Sequence, residues 1–181
     1  MKSNREETKS REIIFNGSLI DVEVQEVYLP DGNTSRRELV YHPGAVAVIA
    51  FTEEGKLILV KQYRKALQKA IAEIPAGKLE NKESPEKCAI RELEEETGLR
   101  AASMTKLLSF YTSPGFADEI VHLFLADSLT AGDSGTDDDE FVERVDVTFE
   151  EAKRMIENGE IHDAKTAYAV QYWELLQTRS K

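Results

Sequence analysis

The chain contains a single cysteine, Cys88, so it can form no intramolecular disulfide and no cysteine-rich zinc site. No apolar run approaches the roughly 18 residues that cross a bilayer. Positive charge is scarce: 23 Lys and Arg stand against 34 Asp and Glu, for a net charge of −11. That balance excludes a protein that grips nucleic acid by neutralising its phosphates. Small anionic ligands stay open, because a bound divalent cation reverses the sign of a pocket locally. Neither a G-x-x-x-x-G-K-[S/T] run nor a G-x-G-x-x-G run occurs, which removes the P-loop and Rossmann phosphate cradles. His42, His122 and His162 are scattered and lack the spacing of a zinc site or of a Ser-His-Asp triad. The polar stretch Met1 to Arg11 has no apolar signal-peptide core, so a cytoplasmic location is expected.

What is present reads as globular, with 41% hydrophobic and 31% charged residues. Without repeats or a Gly/Ser/Pro linker, the expected division is an arm of N-terminal strands over residues 1–42 and a main domain over 43–181. Residues 1–10 are expected to fray. The alternation Ile20, Val22, Val24 marks a half-buried strand within Ile13 to Leu29. Pro30-Asp31-Gly32-Asn33 is turn chemistry that lets Ser35 to Tyr41 return as its partner. Ala45–Phe51 and Leu57–Val60 form denser apolar strands around a hairpin loop. Ser84, Pro85 and Gly98 punctuate a helix as N-cap, first turn and left-handed terminus. Leu107–Tyr111, Ile120–Leu125 and Val142–Val147 read as strands, and 128–140 as a loop. Thr148 to Glu151 is a capping box for a helix that Gly159 closes, and Asp163 to Leu176 is a last helix. Helices do not alternate regularly with strands, so the class is α+β with a mixed sheet layered between helices.

The strongest chemical signal lies on the Ser84–Gly98 helix. At 100° per residue, Glu92, Glu95 and Glu96 share one face, while Ala89, Ile90, Leu93 and Thr97 form a packing stripe. Like charges at this spacing oppose a helix by roughly 0.2–0.5 kcal/mol per pair. Hard cations relieve that cost, since Mg²⁺ and Mn²⁺ prefer oxygen donors. Arg91 can pair with Glu83 and orient the cluster. A second acidic region, residues 127–163, holds 13 acids against 3 bases and so carries nearly all of the net charge. Within it, Asp133, Gly135 and Asp137 break the pattern of an EF-hand calcium loop.

Gly77, Glu83, Arg91, Glu92, Leu93, Glu95, Glu96, Gly98 and Leu99 match every specified position of a motif that resembles the Nudix box. With average residue usage, a chance match is on the order of 10⁻⁹ per window. The resemblance implies an α/β/α sandwich around a mixed central sheet, with the small N-terminal antiparallel sheet added. It implies hydrolysis of a nucleoside diphosphate linked to another group, with Mg²⁺ or Mn²⁺ held by Glu92, Glu95, Glu96 and the carbonyl of Ala76. Gly77, Glu83, Arg91 and Gly98 then support the box.

Three further features resemble the ADP-ribose pyrophosphatase branch of that family. They are Glu73-Ile-Pro-Ala-Gly-Lys78, Gln62-Tyr63-Arg64, and Ser113-Pro114-Gly115-Phe116, whose proline lies 16 residues after Gly98. By this comparison Arg64 and Lys78 meet the diphosphate, and Ser113, Glu119 and Arg37 meet other parts of the substrate. Phe15 or Tyr28 stacks on adenine. Glu140, or else Asp138, takes the proton of the attacking water, and Glu140 also ligates metal. Such enzymes work as homodimers with exchanged N-terminal strands, without nucleic acid or membrane partners. The implied reaction is Mg²⁺-dependent hydrolysis of ADP-ribose to AMP and ribose 5-phosphate. Another nucleotide sugar or dinucleotide as substrate, or a non-catalytic ADP-ribose sensor, stays open.

Overall fold

The computed structural model describes residues 4–133, 135 and 141–179, and Glu140 and Asp138 lie outside them. Two compact units divide the chain: Met1–Gly44 with Phe110–Val121, and Ala45–Ser109 with His122–Lys181.

The first unit holds an antiparallel sheet of β1 (Glu7–Asn16), β2 (Asp21–Tyr28) and β3 (Thr34–Tyr41), in that order. The single strand expected from Ile13 onward is two strands, broken where the Gly17 amide donates to the Ile20 carbonyl at 3.1 Å. Residues 7–10, expected to fray, belong to β1. Every residue of β1 is exposed, so no burial pattern announces it. Its order comes from the ladder with β2 and from cross-strand pairs, Lys9 with Glu26 at 3.0 Å and Thr8 with Gln25 at 2.8 Å. The second turn forms where expected: Gly32 takes φ +90° and the Leu29 amide donates to the Asn33 carbonyl.

The second unit is built on β4 (Ala45–Ile49), β5 (Leu57–Arg64), β6 (Lys69–Glu73), β7 (Ala76–Lys78), α1 (Pro85–Thr97), β8 (Leu99–Tyr111), β9 (Ile120–Ala131), β10 (Val142–Val147), α2 (Phe149–Glu157) and α3 (Ala164–Arg179). The outermost residues of β8 and β9 belong to the first unit. One sheet has the order β7-β4-β9-β8 and another the order β10-β5-β6, so that neighbours in space are often distant in sequence.

Strand β4 is apolar along its whole length, the pattern of a strand covered on both faces. Val46 and Val48, with Ala50, pack against Cys88, Ala89 and Leu93 of α1. Residues of opposite parity point the other way. There the Phe51 ring meets Trp173 of α3 at 5.1 Å, and Phe149 of α2 meets the same indole edge-on at 5.2 Å. The unit is therefore layered helix, sheet, helix, with α1 on one side and α2 and α3 on the other.

Helix ends follow the capping residues. Ser84 accepts from the Lys87 amide, and Gly98 at φ +68° donates to the Glu94 carbonyl. Thr148 and Glu151 form a reciprocal capping box before α2. The strands β6 and β7 escaped the pattern because they are short and separated by Ile74-Pro75. Strand β9 runs to Ala131, past the expected loop start at Ser128, which adopts φ +55° within the strand.

Trp173 is the hinge of the second core layer. Trp173→Ala is expected to lower stability by about 3–5 kcal/mol, the usual cost of truncating a buried large aromatic. Urea unfolding followed by far-UV circular dichroism measures this, since the variant has no tryptophan left to report.

Candidate active site

Helix α1 buries one side in the core and presents Glu92 and Glu96, one turn apart, next to strand β7. Both carboxylate side chains belong to residues only 8% exposed. The backbone makes room for them. A Cβ on Gly77 would sit 1.9 Å from the Glu92 carboxyl carbon, so any larger residue there would displace that carboxylate. Next to it, the Ala76 amide donates to Glu96 Oε2 at 3.0 Å. The strand residue whose carbonyl the sequence offered as a ligand thus lies against one of the expected metal glutamates.

Arg91 neutralises much of the cluster. Its guanidinium donates to Glu83 through Nε at 3.0 Å and Nη2 at 2.9 Å, and through Nη1 to Glu95 at 2.9 Å. Nη1 also lies 2.8 Å from Glu92 Oε1. These bonds hold the Glu83 carboxyl down to about 2 and raise the already high pKa of Arg91. Lys78 contributes its carbonyl, which accepts from Cys88 Sγ at 3.3 Å and Arg91 Nη2 at 3.4 Å, while its side chain is exposed. Burial pushes the Cys88 thiol up to about 12, so it is a filler without nucleophilic character.

Arg64 sits in a network that sequence reasoning recognised only at one end. Its Nε donates to Glu73 Oε1 at 2.6 Å and its Nη2 to Glu73 Oε2 at 3.1 Å. Glu73 is 3% exposed and also accepts from Lys165 of α3, which reaches Asp163 at 2.9 Å. Burial alone would raise the Glu73 carboxyl; Arg64 and Lys165 outweigh it and leave the group below its ordinary value. Glu73 in turn raises the Arg64 pKa, and the fields of Glu96 and Asp163 add to that. Arg64 therefore lies within electrostatic reach of the α1 glutamates. Glu73 appeared in the sequence only as part of a resemblance, and Lys165 lies 92 residues away, beyond any local pattern.

The remaining expected contacts belong to the first unit. Arg37 is held by Glu6 through Nε at 2.9 Å and Nη2 at 2.5 Å, and by Ser35 through Nη1 at 2.8 Å. The Ser113 carbonyl accepts from the amides of Phe116 and Ala117, which fixes the Pro-Gly turn. Glu119 accepts from the Thr112 hydroxyl at 2.6 Å and lies 3.9 Å from His42 Nδ1. These three residues are positioned by local hydrogen bonds in a unit other than that of α1.

Among the described residues, no three His, Cys, Asp or Glu side chains close on a single point as a metal cage. The donor set nevertheless suits a hard cation. The groups on this face of α1 are carboxylate oxygens, two of them buried, with a glycine beside them, and burial keeps the neighbouring Cys88 thiol protonated. A divalent ion held there would involve Glu92 and Glu96, with Glu95 at the exposed margin.

Glu83 supplies a pH test. Its folded pKa lies below its usual 4.5, so its contribution to stability is complete above that value and is lost as pH falls from 4.5 towards 2. Glu83→Gln is expected to have a lower Tm than the parent chain at pH 7, with the difference closing by pH 2. Thermal melts across that range check it, and a constant difference would contradict the ion pair.

The NUDIX domain model matches residues 41–169. An ADP-ribose pyrophosphatase of Bacillus subtilis (strain 168) is 58% identical over 177 residues, spanning 97% of this chain and 96% of that protein. The methanol dehydrogenase activator of Bacillus methanolicus is 53% identical over 172 residues, spanning 94% of this chain and 93% of the relative. A crystal structure of an ADP compounds hydrolase superposes with a TM-score of 0.86 at 21% identity, over 99% of this chain and 98% of its own, which shows a shared fold. With its box helix, its glycine cradle and these relatives together, the chain belongs to the Nudix family.

Proposed function

We propose that the chain is a divalent-metal-dependent pyrophosphohydrolase that converts ADP-ribose and water to AMP and ribose 5-phosphate, with Mg²⁺ or Mn²⁺ as its cation. The observation that carries this reading is the pair of buried carboxylates, Glu92 and Glu96, set against Gly77 and Ala76. Arg91 meets Glu92 and the Ala76 amide meets Glu96, and a hard cation is the further partner that clustered carboxylate oxygens of this kind favour. The substrate assignment draws on the Bacillus subtilis relative, identical at 58% of aligned positions.

A bound cation neutralises phosphate oxygens and lowers the pKa of water. The protein does the rest. Glu73 holds the half-exposed Arg64 guanidinium in one orientation, where it meets a diphosphate as a fixed bidentate donor. Arg91 holds Glu95 and the loop around Glu83 in place. Water oxygen bonds to one phosphorus while the bond from that phosphorus to the bridging oxygen breaks. The proton passes to Glu140, or else Asp138, in the acidic stretch after β9, and the leaving phosphate departs as the second product. Lys78, Ser113, Glu119 and Arg37 serve as further substrate contacts.

Turnover of a substrate panel tests this reading: ADP-ribose, ADP-glucose, NADH, diadenosine polyphosphates and dGTP, each with Mg²⁺. AMP release from ADP-ribose should exceed that from the others, and Glu96→Gln should abolish it while circular dichroism shows a folded protein. Preference for another compound would assign a different Nudix substrate; silence on all would leave an ADP-ribose sensor. A second reading follows from the 53% identical activator: the parent chain, but not Glu96→Gln, would accelerate methanol dehydrogenase.

The working form is proposed to be a homodimer with exchanged N-terminal strands. Ile13, Ile14 and Phe15 on β1 and Tyr28 on β2 are all exposed, an apolar surface that a second copy would cover. Light scattering should give twice the mass of one chain, and Phe15→Asp should return it to the monomer value. A monomeric parent chain would refute the exchange.

A further inference from the structure

Lys165, at the start of α3, belongs to no motif of the sequence. Its ammonium is nonetheless withdrawn from water: the side chain is 15% exposed and donates to Glu73 Oε2 and, at 2.9 Å, to Asp163 Oδ1. The helix end that carries it is locked onto the strand beneath. The Asp163 carbonyl accepts from the Ala167 amide at 3.0 Å and its Oδ1 from the Thr166 amide at 3.1 Å, so Asp163 caps α3. The buried Thr166 accepts from the Ile74 amide through Oγ1 at 3.0 Å, and the Ala72 amide donates to the Glu160 carbonyl at 2.8 Å. Two adjacent residues of α3, Lys165 and Thr166, thus grip two adjacent residues, Glu73 and Ile74. Lys165 has a fixed seat.

Glu73 is reached from two directions. Lys165 holds Oε2 from the buried side, while Arg64, whose side chain is 40% exposed, engages Oε1 through Nε at 2.6 Å and Oε2 through Nη2 at 3.1 Å. The two cations do different work. A carboxylate bonded only to a half-exposed arginine swings with that arginine. Bonded also to a seated ammonium, it stays where it is and holds the arginine with it. The field of Glu96 reaches Arg64, so the exposed end of the chain Lys165–Glu73–Arg64 is the end near the metal-binding face of α1.

We propose that Lys165 is a positioning residue for substrate binding: by pinning Glu73 from inside, it fixes the Arg64 guanidinium that meets the diphosphate. The inference rests on the reading of Arg64 as a diphosphate contact. A side chain ordered beforehand loses little freedom when a ligand arrives. A mobile one must be ordered at that moment, and the ordering weakens binding. Arg64 holds the diphosphate alike before and during reaction, so the loss falls on KM and leaves kcat in place.

The test compares Lys165→Met, Lys165→Arg, Glu73→Gln and the Glu73→Gln/Lys165→Met double variant in the full chain, with ADP-ribose and Mg²⁺. Lys165→Met keeps an apolar stem and leaves Glu73 paired with Arg64. It should raise KM about 10-fold, with kcat close to that of the parent. Lys165→Arg keeps a cationic donor and should return KM to the parent value. Glu73→Gln should raise KM by itself, and adding Lys165→Met should raise it no further, because the lysine acts through Glu73. Exchange of the Arg64 Nε proton with water, read by heteronuclear NMR, should accelerate in Lys165→Met with no substrate present. An unchanged KM in Lys165→Met would overturn the proposal, even beside a lower Tm, since a purely structural lysine gives that result. A kcat loss at constant KM would overturn it too, as would a Lys165→Arg variant as impaired as Lys165→Met. So would an equal further rise in KM when Lys165→Met is added to Glu73→Gln. If the parent chain hydrolyses none of the panel compounds, the hydrolase reading fails by itself. Exchange at Arg64 Nε then still decides the positioning role: faster exchange in Lys165→Met supports it, and unchanged exchange overturns it.

Discussion

A helix that ends in Glu94-Glu95-Glu96 works against its own dipole, because its C-terminal carbonyls already carry negative charge. No basic residue lies in the last turn of α1 to relieve this. The second unit supplies the relief from outside the turn. Arg91 bridges three carboxylates, Arg144 reaches the Thr97 carbonyl from β10, and Arg100 approaches Glu94. Two of the acids, Glu92 and Glu96, are buried against strand β7, where a glycine and a backbone amide receive them. The helix is held in place by its apolar stripe on β4, and that packing carries the cost of the charged face.

The same logic of one buried charge held by several partners recurs across the unit. Glu73 is buried on β6 and balanced by Arg64 of β5 and Lys165 of α3. Removing both cations would leave an unpaired carboxylate in a low-dielectric setting, which costs far more than a surface pair contributes. In Glu73 and in the α1 acids alike, the partners come from separate strands and helices. The electrostatics therefore depend on the completed fold, and a fold error would be felt first at these sites.

Local chemistry made much of this legible. The caps Ser84 and Gly98, the Thr148–Glu151 box and the turn at Gly32 each needed only a few neighbouring residues, and each forms as read. The dense apolar run over Ala45–Phe51 announced a strand, and β4 lies within it. Strand β1 carried no such signal, because its residues are all exposed and its order comes from pairing with β2. Likewise the box spacing placed Glu92 beside Glu96, but nothing local connects Glu73 to Lys165 or Glu94 to Asp133. Those links join residues 92 and 39 positions apart, set by the topology of the sheets and not by periodicity. Glu140 and Asp138 fall outside the described residues, so their part in the chemistry rests on the sequence.

The account stands on α1 as a cation-binding helix. Electron paramagnetic resonance of Mn²⁺, titrated into the parent chain and into the Glu92→Gln/Glu96→Gln double variant, measures that property without reference to any substrate. The account predicts that the parent chain quenches the free-ion signal at stoichiometric metal and that the double variant leaves it unquenched. Equal quenching by both proteins would place the metal elsewhere and contradict the central claim.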